Sequence, residues 1–112
     1  MILGRKFHFD SAHCLKGHPK CGQVHGHTWH LTVEVEGQIQ LNGMVMDLHD
    51  LKAIVEDCLG HLDHQTIKLD PPTCEVISSD LVVKIANKLP KGIKLHSLKL
   101  QEGEGGYARW IR

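Results

Sequence analysis

The chain has 112 residues, the size of one domain, taken as 1–112, with a single modest core that a bound metal or self-association would help to stabilise. Lysine plus arginine equals aspartate plus glutamate at 13 each, with no basic cluster, which argues against a nucleic-acid partner held by its phosphates. The outlier is histidine, at 10 residues, the commonest metal ligand and the commonest general acid or base.

Met1 is followed by Ile2-Leu3-Gly4-Arg5-Lys6 and no long apolar run, so neither a secretory signal nor a membrane span is expected. Residues 2–13 alternate: Leu3, Phe7, Phe9, Ser11 and His13 share one face, and Lys6, His8 and Asp10 the other, as in a half-buried strand. The segment from Cys14 to Gly22, with Gly17, Pro19 and lysines 16 and 20, reads as a surface loop that delivers Cys21 to the next strand. That strand runs from about 24 to 36. His25, His27, Trp29, Leu31, Val33 and Val35 lie on its apolar face, because side chains alternate with period two. Gln38 to Gly43, with Asn42-Gly43, reads as a turn or a short edge segment.

The period then changes. Leu48, Leu51, Ile54, Val55, Cys58 and Leu59 recur at spacings of three and four, predicting a helix with Asp47 as N-cap and Gly60 as its stop. Residues 61–72 lack a period and end in Pro71-Pro72, so they are expected to form a loop, which carries Asp63 and His64. A second helix follows, with Thr73 as N-cap, Glu75 in the first turn and Ile77, Leu81, Ile85 and Leu89 stepping by four until Pro90 and Gly92. Strands are predicted over about 94–102 and 106–112, joined by a glycine-rich turn, with Leu98, Leu100 and Glu102 on one face. The order is ββααββ: an α+β fold with a four-stranded antiparallel sheet and two helices on one face. Four cysteines, Cys14, Cys21, Cys58 and Cys74, form no C-x-x-C pair, and two fall in predicted helices, so no disulfide framework is expected and a reducing cytoplasm fits.

His13, His25 and His27 lie on the apolar faces of two neighbouring strands, and three ligands with a fourth position open is the common arrangement of a catalytic zinc. Three satisfied core histidines are the plain alternative. All-imidazole ligation favours zinc, although copper, iron or nickel would accept it. Cys21 has three readings: a general base activated by a nearby metal or imidazole, a fourth ligand that closes the site, or an inert loop thiol. Asp63-His64 can orient such a thiol, but a polar loop accounts for the pair on sequence alone. Glu102, a carboxylate at the apolar end of a strand, can accept from a guanidine-like edge or pair with Arg109 across the last hairpin.

With these residues in place, the whole chain resembles the 6-pyruvoyltetrahydropterin synthase family, in its 6-carboxytetrahydropterin-forming branch from the queuosine pathway. The resemblance rests on Phe7-x-Phe9-x-Ser11-Ala12-His13, Cys21-x-x-x-His25-Gly26-His27, Val45-Met46-Asp47-Leu48-x-Asp50-Leu51-Lys52, Leu62-Asp63-His64, Thr73-x-Glu75 and Glu102. It implies a tunnelling fold (T-fold) assembled as a trimer or as a hexamer of two stacked trimers, with active sites between subunits. It implies one zinc per subunit on His13, His25 and His27, and Cys21 as catalytic proton acceptor with Asp63 and His64 from a neighbouring subunit. Glu102 is expected to anchor the pterin ring, with Thr73 and Glu75 lining the pocket. The implied reaction converts 7,8-dihydroneopterin triphosphate into 6-carboxy-5,6,7,8-tetrahydropterin, acetaldehyde and triphosphate. Related outcomes are pyruvoyltetrahydropterin synthesis and a dihydroneopterin-type aldolase, and a non-catalytic zinc-binding protein belongs to a different class. The chain departs from the family pattern at His49, at Gln65-Thr66 and at Gly103, which bears on substrate choice.

Overall fold

The apolar alternation at both ends of the chain becomes one sheet. The structure, a computed structural model, describes residues 1–18 and 22–112. Its elements are β1 (Ile2–His13), β2 (His25–Glu36), α1 (Leu48–Leu59), β3 (Gln65–Thr66), α2 (Cys74–Lys88), β4 (Lys94–Glu102) and β5 (Gly106–Ile111). The sheet order is β3-β1-β2-β4-β5, antiparallel throughout except where β3 runs parallel to β1.

The expected four strands are therefore five. β3 falls in the stretch read as a loop, because two residues are too few to show a period. It is held by β1: the Ile67 N–H donates to the Ala12 carbonyl at 2.8 Å, and the His64 N–H to that of Asp10 at 2.6 Å.

Both helices cover the face predicted to be apolar. Phe9, Trp29, Leu31, Val33, Val35, Leu98 and Leu100 pack against Leu51 and Val55 of α1 and Ile77, Leu81 and Ile85 of α2, all of them buried. Burying such side chains contributes on the order of 2 kcal/mol each before chain entropy is charged against it. Leu95 joins this core although it is an odd number of residues from Leu98. A register shift between Glu34 and Val35 leaves His96 unpaired on β4 and resets the alternation. Lys6, His8, Asp10, Thr28 and His30 line the other face and are exposed.

The helix starts follow the sequence signals. The Asp47 carboxylate accepts from the His49 N–H at 2.8 Å, and the Thr73 hydroxyl accepts from the Val76 N–H at 3.2 Å. Gly60 does follow α1, but with φ −58° and ψ −26° it continues in right-handed geometry into a turn and does not reverse the chain as a left-handed cap would. Gly43, at φ +82°, does require glycine's freedom, and it closes the turn in which Gln40 N–H donates to the Met44 carbonyl. Among the described residues no helix is long and apolar enough to cross a membrane.

Asp47 is expected to stabilise α1 by satisfying one of its unpaired N–H groups. Replacing it with alanine should lower the unfolding free energy by about 1 kcal/mol, seen in urea as a lower midpoint with unchanged slope.

Candidate metal centre and the residues around it

The register of β1 against β2 sets His13 opposite His25 and Ser11 opposite His27, all with side chains on the helix-covered face. Adjacent positions on one face of an antiparallel pair stand about 5 Å apart, within reach of ring contacts. The three imidazoles accordingly meet, with ring centroids 4.5 Å apart for His13 and His25, 4.7 Å for His25 and His27, and 5.0 Å for His13 and His27. Beneath them lies Trp29, fully buried and edge-on to His13 and His27.

Two backbone carbonyls orient the rings. His13 Nδ1 lies 2.9 Å from the Pro72 oxygen and His25 Nδ1 lies 2.7 Å from the Gln23 oxygen. A carbonyl only accepts, so each Nδ1 carries its proton, which leaves each Nε2 with a lone pair in the neutral ring. The Nε2 atoms of His13, His25 and His27 are buried and without a hydrogen-bond partner among the described residues. Such orphaned acceptors are costly unless a cation occupies the space between them.

Glu102 completes the group. β4 pairs with β2 so that Glu102 lies opposite Trp29, one pleat along from His27. Its Oε1 stands 2.9 Å from His27 Nε2 and 3.3 Å from His13 Nε2. One ligand atom from each of His13, His25, His27 and Glu102 lies within 4.8 Å of all the others, so these residues could hold a metal ion. The arrangement suits a borderline or hard divalent cation, three neutral nitrogens and one anionic oxygen being an accepted donor set for zinc. Burial lowers the His27 pKa from its ordinary 6.5, and the neighbouring His13 and His25 act in the same direction against the pull of Glu102. The ring is thereby biased toward its neutral, ligating form.

The predicted pairing of Glu102 with Arg109 is not found. Arg109 lies opposite Lys99, on the face of the sheet turned away from Glu102, and the position opposite Glu102 is Gly106. The hairpin register and the two-residue alternation together separate them.

Asp63 and His64 are brought together, but not onto the histidine cluster. Asp63 Oδ1 accepts from the Asp10 N–H at 3.0 Å and lies 2.9 Å from His64 Nδ1. The Asp10 amide, with His64 beside it, holds the Asp63 carboxyl below its usual range against the opposing effect of burial. His64 adopts φ +58°, a left-handed conformation unusual for a residue with a side chain, and is exposed. It lines an open depression of about 520 Å³ that also takes in Asp10, Ser11, His27, Thr28 and Gln65. The depression thus joins residues of the polar face to His27, at the rim of the histidine cluster.

Thr73 lines a second groove of about 710 Å³ together with Lys16, His18, Leu69 and Pro72, next to the carbonyl that orients His13. Its hydroxyl is engaged as the α2 cap. Glu75 is exposed in the first turn of α2 and lines neither depression. Cys21 and Lys20 lie outside the described residues. The remaining thiols are buried or bonded: Cys14 donates to the Gly22 carbonyl, Cys58 sits in the core, and Cys74 donates to the Leu100 carbonyl with its pKa raised by burial.

Pro72, Gln23 and Trp29 were not identified from sequence. The first two act through backbone carbonyls, which no side-chain pattern reveals. Trp29 did carry a signal, since it shares the face of His25 and His27 one step further along the strand.

Residues 2–111 match the family described as 6-pyruvoyl tetrahydropterin synthase. The chain belongs to that family. A relative from Archaeoglobus fulgidus, provisionally named a 6-carboxy-5,6,7,8-tetrahydropterin synthase, is 37% identical over 110 residues, covering 96% of this chain and 93% of its own. The dihydroneopterin monophosphate aldolase of Pyrococcus furiosus is 40% identical over 97 residues, covering 85% and 83%. The solved structure of Caenorhabditis elegans 6-pyruvoyl tetrahydropterin synthase superposes with a TM-score of 0.87 over 100% of this chain and 95% of that one, at 21% identity. The five-stranded sheet with two helices on one face is thus the T-fold of the pterin synthase family, as the sequence resemblance implied.

In the metal-free protein the His27 ring should titrate below pH 6.5, read from its imidazole proton shifts by NMR. The unfolded chain then takes up the proton first. Stability should fall as the pH is lowered from 6.5 through that depressed midpoint, and level off below it.

Proposed function

We propose that the protein is a zinc-dependent 6-carboxy-5,6,7,8-tetrahydropterin synthase acting on 7,8-dihydroneopterin triphosphate, a cytoplasmic lyase of queuosine biosynthesis whose single domain spans residues 1–112. The observation that carries this reading is the trio of buried, unpartnered Nε2 atoms on His13, His25 and His27, for which zinc is the natural occupant at one per subunit. Membership in the family and the name of the Archaeoglobus relative support the substrate class.

Zinc, when bound, supplies Lewis-acid polarisation of the substrate's side-chain oxygens. In this reading Cys21, four residues before His25 in the chain, takes the proton from the substrate carbon, since a thiol close to cationic charge is readily ionised. Glu102 accepts hydrogen bonds from the guanidine-like edge of the pterin ring. Thr73 lines the groove beside His13, and a pocket-lining role for Glu75 is what the family resemblance implies. Asp63 fixes the tautomer and direction of the His64 ring through the 2.9 Å contact at Nδ1, leaving Nε2 as the atom available for a proton relay.

In this reading His64 serves Cys21 of a neighbouring subunit in a trimer or a dimer of trimers, the arrangement that the family resemblance implies. Exposed apolar residues, among them Ile39, Leu41 and Met44, and the open outer edge of β5 support such an assembly. A second reading within the family, aldol cleavage of a dihydroneopterin phosphate, is favoured by the 40% identity to the Pyrococcus aldolase. Pyruvoyltetrahydropterin synthesis is the outcome suggested by the family's own name.

Mass spectrometry of products from 7,8-dihydroneopterin triphosphate should find 6-carboxytetrahydropterin and acetaldehyde. 6-Hydroxymethyl-7,8-dihydropterin with glycolaldehyde triphosphate would indicate aldolase chemistry, and no turnover of any dihydropterin would leave only a zinc-binding protein. Cys21→Ala should keep its zinc and lose turnover by about 100-fold or more, the usual contribution of a proton-transfer group. His27→Ala should hold well under one zinc per chain.

If the site is shared, Cys21→Ala and His64→Ala should each be inactive alone. Subunits of the two, dissociated, mixed equally and reassembled, should recover about a quarter of the wild-type activity, the random share of sites with both residues intact. No recovery would place both residues within one subunit.

A further inference from the structure

Glu102 makes a contact that anchoring a pterin does not call for. Its Oε1 faces His13 Nε2 at 3.3 Å and His27 Nε2 at 2.9 Å, and His13 already donates through Nδ1 to Pro72. A neutral imidazole lone pair turned toward a carboxylate oxygen at that distance is acceptor against acceptor, which is repulsive unless positive charge lies between. One shared proton can relieve a single pair. It cannot serve three unpartnered Nε2 atoms and the carboxylate together, whereas one divalent cation can. Bond lengths of about 2.0–2.2 Å to a tetrahedral zinc put its ligand atoms roughly 3.3–3.6 Å from one another, which the Glu102–His13 distance matches and the 2.9 Å Glu102–His27 distance would reach by a small outward shift.

We propose that Glu102 is a fourth and displaceable metal ligand, which leaves the metal for the guanidine-like edge of the pterin ring when substrate binds. Pterin recognition would then itself open the coordination position that the chemistry needs. This rests on the zinc and pterin reading given above.

The surroundings fit a ligand of this kind. His13 is 1% exposed and wedged between Pro72 and Trp29, so it is not free to move. Glu102 is 29% exposed and is the last residue of β4. Its backbone is pinned, because the Gly103 N–H donates to the Thr28 carbonyl at 3.0 Å and Gly103 turns away at φ +61°. Exchange therefore requires side-chain rotation alone. A carboxylate that turns both oxygens to a pair of N–H donors gains a bidentate, charge-favoured contact and cannot keep its place as a ligand. A phosphorylated compound without the ring edge would leave Glu102 on the metal, so the exchange also works as a specificity filter.

Cobalt(II) loaded into the full-length protein in place of zinc reports the donor set through its visible absorption. Glu102→Gln should alter that spectrum and weaken zinc binding by about tenfold or more. Adding 7,8-dihydropterin, which has the ring edge but no side-chain oxygens, should move the wild-type spectrum toward that of Glu102→Gln and leave the variant's own spectrum unchanged. Identical wild-type and variant spectra at one cobalt per chain would overturn the proposal and leave the three-histidine site standing. So would a thiolate charge-transfer band lost in Cys21→Ser, which would give the fourth position to Cys21. A wild-type spectrum indifferent to dihydropterin would overturn the exchange, and failure of the wild-type protein to take up cobalt would remove the metal reading itself.

Discussion

The antiparallel register of β1 on β2 is the constraint from which the site follows. It sets His13 across from His25, with His27 one pleat further along, and these positions share the face that the helices cover. Sliding either strand by one residue would send the imidazoles of one strand to the opposite face. The register is secured by the apolar row that runs on from the cluster. Phe9 and Trp29 face each other across the same two strands, and Trp29, Leu31, Val33 and Val35 are all buried, so a slip would expose an entire apolar row. The histidines occupy the end of a pairing whose stability comes from its apolar middle.

Geometry alone would make this cluster unfavourable. Three buried nitrogens without partners and a carboxylate oxygen beside them forfeit hydrogen bonds they would have in water. Carbonyls of Pro72 and Gln23 spend the Nδ1 protons of His13 and His25 elsewhere, and burial keeps His27 biased toward its neutral form. Each of these features makes the group poorer as a set of donors and better as a set of acceptors. The fold therefore keeps a place where positive charge is stabilised, and the zinc proposed for it would relieve the same unfavourable contacts.

The sheet also brings a second polar pair to the end that carries the cluster. The histidines and Glu102 lie on the covered face there, while Asp63 and His64 lead into the short parallel strand β3, and His64 lines an open depression shared with His27. A left-handed His64 and an Asp63 tied to the Asp10 amide keep that pair in one orientation.

Local rules were enough to read most of the architecture from the residues. Period-two alternation placed His13, His25, His27 and Glu102 on apolar faces, spacings of three and four placed both helices, and Asp47 and Thr73 marked where they begin. Each of these depends on neighbours a few positions away, so the chain carries the information in order. What required tertiary structure was every relation between distant segments. The parallel strand β3 is too short to have a period and exists because β1 offers it a free edge. Arg109 was separated from Glu102 by the hairpin register, and Pro72 and Gln23 orient imidazoles through carbonyls that every residue possesses. Parity told which face Glu102 would take, but only the pairing of β4 with β2 decided that its oxygen would stand among the imidazoles, because strand order and register are set by how the whole core packs.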